Sequence, residues 1–221
     1  MIEGVLFDLD GIIADTSGFH FKAWRELVKK HFNRKLPDEL EEKTKGVSRS
    51  DSLQIILEFL ELDVVQDFVE CLALEKNELY RRYIEQLTPE DILPGIVDLI
   101  EEIKLNDIPM ALASASLNGP FILEKIGLRD AFDAIANPAE IKAGKPAPDL
   151  FLEAARKIGA NPENCIGIED SIAGVIAINK AKAISIGIGC STELSEAAKV
   201  LPHTQELNFE ILVSIFEEVK T

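Results

Sequence analysis

Positive charge is scarce in this chain of 221 residues: 23 Lys and Arg stand against 39 Asp and Glu, a formal net charge of −16. That balance excludes nucleic acid and anionic membrane as main partners, since both require a basic surface. It also constrains any chemistry on phosphates, because the cations such a site needs must be gathered locally. Cysteine is scarcer still. Cys71, Cys165 and Cys190 are far apart, odd in number and in no metal-ligand spacing, which reads as reduced thiols. No apolar run approaches the ~20 residues of a membrane span. No basic stretch or cleavage site lies between Met1-Ile2-Glu3 and the first apolar segment, so the expected location is cytoplasmic. Internal repeats and low-complexity segments are absent too. What is present, 47% apolar and 28% charged residues, is enough to bury a substantial core.

The pattern along the chain changes twice. Val5-Leu6-Phe7 and Leu9, stopped by Asp10-Gly11, read as a buried strand ended by a turn. Helical spacing follows: Trp24, Leu27 and Val28 on one face, Leu53, Ile56, Leu57 and Leu60 on another. From Val65 to Leu87 a third stripe runs through Phe68, Val69, Leu72, Leu79, Tyr80 and Tyr83. After Thr88-Pro89 and Leu93-Pro94-Gly95, helices alternate with short strands at Met110–Ala113, Cys165–Ile168 and Ile184–Ile186. Alternation of this kind predicts a parallel sheet wrapped by helices. The economical division is an α/β domain of residues 1–14 and 89–221, interrupted by a helical domain of residues 15–88.

Four short segments carry chemistry, each read as lying past a strand, where open parallel sheets bind ligands. Asp8-Leu9-Asp10-Gly11 places two carboxylates on one side of an extended chain, a pair that wants a cation such as Mg²⁺ between them. It also reads as a plain acidic turn. Ser114-Ala115-Ser116 with Asn118 offers hydroxyl and amide donors to a phosphate, or else Asn118 simply caps a helix with Pro120 in its first turn. Lys145, between Gly144 and Pro146, can neutralise a phosphate or paired carboxylates. Glu169 and Asp170 can complete a metal site begun by Asp8 and Asp10, or cap the next helix.

In order, these segments resemble the four motifs of the haloacid dehalogenase superfamily of phosphotransferases. Lys45-Gly46-Val47-Ser48-Arg49, Ala113-Ser114-Ala115-Ser116 and Lys145-Pro146-Ala147-Pro148-Asp149 further resemble the β-phosphoglucomutase branch, over nearly the whole chain. The resemblance implies a Rossmann-like parallel sheet core with an inserted α-helical cap. It implies interconversion of β-glucose 1-phosphate and glucose 6-phosphate through a β-glucose 1,6-bisphosphate intermediate. Asp8 would then be the nucleophile and Asp10 the general acid and base. Mg²⁺ would be held by Asp8, Asp10 (through its carbonyl), Asp170 and Glu169. Substrate and its phosphates would be met by His20, Trp24, Lys45, Gly46, Val47, Ser48, Arg49, Ser52, Lys76, Ser114, Ala115, Ser116, Asn118 and Lys145. The implied partners are small sugar phosphates, and the implied state is a monomer.

Several of these positions have plainer readings. Ser48-Arg49-Ser50-Asp51 also forms a capping box; Lys76, four residues from Leu72 and from Tyr80, is placed to snorkel out of an apolar stripe; His20 is placed to be a core histidine. Family members usually carry a basic residue between positions matching Ser116 and Asn118, and here it is Leu117, so one positive contact to a phosphate is missing. A sugar-phosphate phosphatase on the same scaffold is the main alternative, its aspartyl phosphate taken by water. A non-catalytic sugar-phosphate sensor is the other, disfavoured by the presence of both Asp8 and Asp10.

Overall fold

The structure, a computed structural model, describes residues 1–221. Its centre is a six-stranded, wholly parallel sheet. The strands are β1 (Gly4–Phe7), β2 (Met110–Leu112), β3 (Ala134–Ile135), β4 (Cys165–Glu169), β5 (Ile184–Ile188) and β6 (Lys199–Leu201), in spatial order β3-β2-β1-β4-β5-β6. Side chains alternate across the sheet. Val5 and Phe7 of β1 face one core, filled from α5 (Ile96–Leu105) and α9 (Phe209–Lys220). Leu6 faces a second, built from α7 (Asp149–Lys157) and α8 (Ile172–Lys180) with Phe151, Ala154 and Ile178. Burial on both faces explains why these strands are continuous apolar runs.

Between β1 and β2 the chain forms four helices, α1 (Ser17–Phe32), α2 (Glu39–Thr44), α3 (Arg49–Phe59) and α4 (Gln66–Ile84). The expected apolar face of α1 is buried through Phe21, Trp24, Leu27 and Val28, and the helix stops at Asn33, whose left-handed backbone (φ 52°) sends its N–H back to Lys29 O. Helix α4 buries Leu72, Leu79 and Tyr80. Val65, predicted to begin that stripe, instead precedes the helix and is 74% exposed, because its extended backbone turns the side chain off the helical face. Ser48 caps α3 as expected, accepting from Asp51 N–H at 3.2 Å and donating to the Asp51 carboxylate at 2.6 Å. The chain leaving β1 and the chain returning after α4 run side by side, Ala14 bridging to Ile92 and Leu93 N–H donating to Ile13 O.

Register then places the chemistry. Phe7 lies opposite Leu112 on one side and Ile168 on the other. The residues that follow these strands therefore emerge together, with Asp8 N–H donating to Ile168 O and Ala113 N–H to Phe7 O. Strand order reverses between β1 and β4, which opens a crevice at the carboxyl ends of the two. Among the helices, none is long and apolar enough to cross a membrane. The three cysteines are unpaired, Cys165 buried and the other two exposed.

Candidate active site

Asp8 stands just past β1 and is almost fully buried. Lys145 comes from the long loop between β3 and α7 (its peptide bond to Pro146 is cis), and its buried ammonium donates to Asp8 Oδ1 at 2.5 Å and Glu169 Oε2 at 2.7 Å. Burial opposes charge on Lys145, but the two carboxylates outweigh it and hold its pKa above the ordinary value. Burial and then the Glu169 charge push Asp8 well up, with Lys145 pulling against them. Glu169 is held on its other oxygen: Oε1 accepts from Ser171 Oγ at 2.8 Å and from the Asp170 and Ser171 N–H groups. Ser171 also caps α8 by accepting from Gly174 N–H, so the capping reading of this segment holds while its carboxylates face Lys145 and Lys45.

Asp170 completes an acidic cluster, with one oxygen each from Asp8, Glu169 and Asp170 mutually within 4.8 Å. Burial raises the Asp170 carboxyl to about 7, Lys45 opposing and Glu169 adding to the shift. Three hard oxygen donors that repel one another suit a divalent cation such as Mg²⁺. Lys45 reaches in from the end of α2 and pairs with Asp170 Oδ2 at 2.9 Å. Its neighbour Gly46 has φ +73° and lies so close to Ser171 that a β-carbon would stand 2.1 Å from Ser171 Oγ. Only glycine fits this contact between the helical segment and the β4–α8 loop.

The Asp10 carboxylate is turned away from that cluster. Its Oδ1 accepts from Thr16 Oγ1 at 2.5 Å and Tyr80 Oη at 3.3 Å, and lies 3.6 Å from His20 Nε2; Oδ2 has no protein hydrogen bond. Burial alone would raise the Asp10 carboxyl, but His20, the Thr16 hydroxyl and Lys76 bring it down to about 2. His20 stacks on Tyr80 with centroids 3.8 Å apart and shares its Nδ1 with Lys76 Nζ at 2.6 Å. An ammonium donor at Nδ1 leaves the ring proton on Nε2, towards Asp10. Lys76 is only 2% exposed and lies over the Trp24 and Tyr80 rings. It lines the cavity and does not snorkel to solvent. Burial, then Arg49, push its pKa down to about 7, Asp10 opposing. His20 is pushed down by burial and Lys76.

These groups surround one cavity of about 390 Å³. Its lining also includes Ser48, Arg49, Ser116, Leu117 and Asn118. Burial pushes the Arg49 guanidinium down from its ordinary value. Asn118 does begin α6 (Gly119–Lys125), but its side chain makes no capping bond. Instead Nδ2 donates to Asn77 Oδ1 of α4 at 3.0 Å. Ser116 Oγ accepts from Asn118 N–H, and Ser114 Oγ from Ser116 N–H, so the hydroxyls shape the loop. Leu117 is 55% exposed on the cavity rim.

Of the residues singled out in the sequence, Ser114, Lys145 and Glu169 stand behind the cavity wall and the rest line it, Trp24, Val47, Ser52 and Ala115 included. Sequence reasoning missed Thr16, Ser17, Asn77 and Tyr80. Thr16 and Ser17 sit at a helix start, where hydroxyls suggest caps, and Tyr80 falls at an apolar-stripe spacing that hides its hydroxyl. Asn77 carries no local signal at all, since its partner is 41 residues away.

An aspartate just past β1 bonded to a fixed lysine, beside an acidic cluster at the switch point of a parallel sheet, defines the class. The chain belongs to the haloacid dehalogenase-like hydrolase family, whose model matches residues 2–182. Within that family it is 38% identical over 224 aligned residues to the β-phosphoglucomutase of Bacillus subtilis, an alignment covering 99% of this chain and 97% of the relative. The solved β-phosphoglucomutase of Clostridium difficile superposes with a TM-score of 0.96 at 40% identity, covering 100% of this chain and 99% of that one. A fructose-1-phosphate phosphatase of Escherichia coli is also similar, 31% identical over 80% of this chain and 92% of its own length.

Proposed function

We propose that this enzyme is a β-phosphoglucomutase, interconverting β-glucose 1-phosphate and glucose 6-phosphate through an aspartyl phosphate and a β-glucose 1,6-bisphosphate intermediate. The observation that carries this reading is the cavity lining, which holds, besides Asp8, Asp10 and Asp170 at the reacting end, a second set of cation, hydroxyl and amide groups at Arg49, Ser116 and Asn118 that in this reading form a second end. A phosphatase needs one phosphate site, whereas a mutase must hold a second phosphate while the first reacts. The full-length likeness to two β-phosphoglucomutases supports it.

In this reading the aspartyl phosphate on Asp8 first passes to the free 6-hydroxyl of β-glucose 1-phosphate; the Asp8–phosphate bond breaks, Asp10 accepts the hydroxyl proton, and the bisphosphate forms. In the second half Asp8 Oδ2, which has no protein hydrogen bond while Oδ1 is held by Lys145, attacks the phosphorus at the 1-position. The bond from that phosphorus to the sugar oxygen breaks, the oxygen takes the proton back from Asp10, and glucose 6-phosphate leaves with the aspartyl phosphate restored. A carboxyl held at about 2 is ionised at rest. Asp10 thus starts as the base, which matches a cycle entered by phosphorylated enzyme. Lys145 keeps positive charge beside the equatorial phosphoryl oxygens, where catalysis is mostly positioning and charge stabilisation. Asp8, Asp170, Glu169 and the Asp10 carbonyl are the groups that would hold Mg²⁺, which when bound neutralises charge on the transferring phosphoryl.

Residues 15–88 act as a cap over the core of residues 1–14 and 89–221. Closing it brings Lys45 and Gly46 onto Asp170 and Ser171 and excludes water from the aspartyl phosphate. Cytoplasmic location and a monomeric state complete the proposal. The test supplies Mg²⁺, β-glucose 1-phosphate and a trace of bisphosphate, and follows products. Glucose 6-phosphate with little free phosphate is expected; free phosphate as main product would replace the mutase with a phosphatase.

A further inference from the structure

Of the buried side-chain nitrogens and oxygens, Ser17 Oγ alone has no hydrogen-bond partner. Buried polar atoms are nearly always paired, and a lone exception marks a place that water, an ion or a ligand fills. Ser17 is the first residue of α1 and lines the cavity together with Asp8, Asp10 and Asp170. A β-carbon built on Gly11 would stand 2.9 Å from Ser17 Oγ and 1.9 Å from Asp170 Oδ2. The hydroxyl and the carboxylate oxygen therefore close together over the Gly11 α-carbon, an approach only a residue without a side chain permits, and both also line the cavity. Nothing in the proposed reaction uses Ser17: Asp10 is held by Thr16, His20 and Tyr80, and Asp170 is paired with Lys45.

We infer that Ser17 is a positioning residue for the divalent cation, its hydroxyl holding a water molecule of the hydration shell of the ion bound at Asp8 and Asp170. The inference rests on the cation site proposed above. Water suits the cavity side of this pair because it is small and can be gripped by the hydroxyl and by a carboxylate oxygen. Mg²⁺ loses its water reluctantly and usually keeps several molecules when bound to protein. Since α1 starts at Ser17, the bond also ties the ion's surroundings to the first turn of the cap.

The test measures Mn²⁺ binding by electron paramagnetic resonance to the full-length, substrate-free protein and to Ser17→Ala. Melting temperatures of both are taken without metal. Groups that hold a metal's surroundings typically cost tenfold or more in affinity when removed, so a loss of about tenfold is expected. The metal-free melting temperature should stay the same or rise, since the deleted hydroxyl had no partner to lose. Equal Mn²⁺ affinity in Ser17→Ala overturns the inference while leaving the cation site standing. Affinity lost together with metal-free stability also overturns it, because that is the mark of a merely structural serine. No Mn²⁺ binding by the unmutated protein would overturn the cation site and this inference together.

Discussion

The two ends of the cavity are built on different principles. At the reacting end, Asp8, Lys145 and Glu169 are buried, anchored by strand ends and a loop behind the wall, and tied to one another by short charged bonds. At the far end, Asn118 from the α6 start bonds Asn77 of α4 across the two parts of the chain, while Arg49 of α3 reaches only the Ala73 carbonyl of α4. The Asn118–Asn77 bond joins two amides that a phosphate could replace with stronger, charge-assisted ones. The lesson is a division of labour. In the proposed reading, chemistry is fixed in place by the sheet, and substrate grip is left to side chains that re-form their contacts each time the cap closes.

The sharpest way to break this comparison is at the nucleophile. Asp8→Asn should lower turnover by roughly 10⁴-fold or more with circular dichroism and melting little changed, because either product, glucose 6-phosphate or free phosphate, needs the aspartyl phosphate. Arg49→Ala acts on the far end. Losing charge-assisted bonds to a phosphate costs about 2 kcal/mol, or roughly thirtyfold in KM, and steady-state kinetics should also show a larger share of free phosphate.

A third probe uses Lys76, which lies between the ends. Folded, it gives up its proton near 7; unfolded, it keeps it to about its ordinary 10.5. Between these values the unfolded chain binds more protons, so stability of the ligand-free protein rises with pH, by about 1 kcal/mol per pH unit. Below 7 both states are protonated and the slope vanishes. Urea titrations of wild type and Lys76→Met should differ by this slope. The smallest effect is expected at Leu117. Leu117→Lys adds an exposed cation at the rim, and exposed pairs contribute less than ~1 kcal/mol. The half-saturating bisphosphate concentration should fall only a few fold, and less at high salt.

Much of the reacting end was legible in the sequence, and the reason is physical. Val5–Leu9, Met110–Ala113 and Cys165–Ile168 are short buried runs, and residues just past such runs must gather at one sheet edge, so Asp8, Ser114 and Asp170 fall together. Lys145 was legible as a fixed loop lysine, but its seat between two carboxylates depends on a contact spanning 137 residues. At the far end, periodicity marked Lys76 as odd in its stripe without saying whether it would turn inwards. The Tyr80 hydroxyl and the Asn77 amide were invisible, because local patterns report burial and not which polar group a buried atom meets. Asn118 shows the converse. Its sequence context fits a helix cap, and the helix does begin there, yet the amide is drawn off to Asn77.

The most direct test of the account is the lifetime of the aspartyl phosphate on Asp8. The enzyme is phosphorylated, freed of excess donor, and mixed rapidly with buffer or with β-glucose 1-phosphate. The account predicts slow release of free phosphate in buffer, and fast transfer to sugar with little free phosphate once the sugar is present. Free phosphate appearing at the same rate in both would contradict it, since water would then reach the reacting end whether or not the far end is gripped.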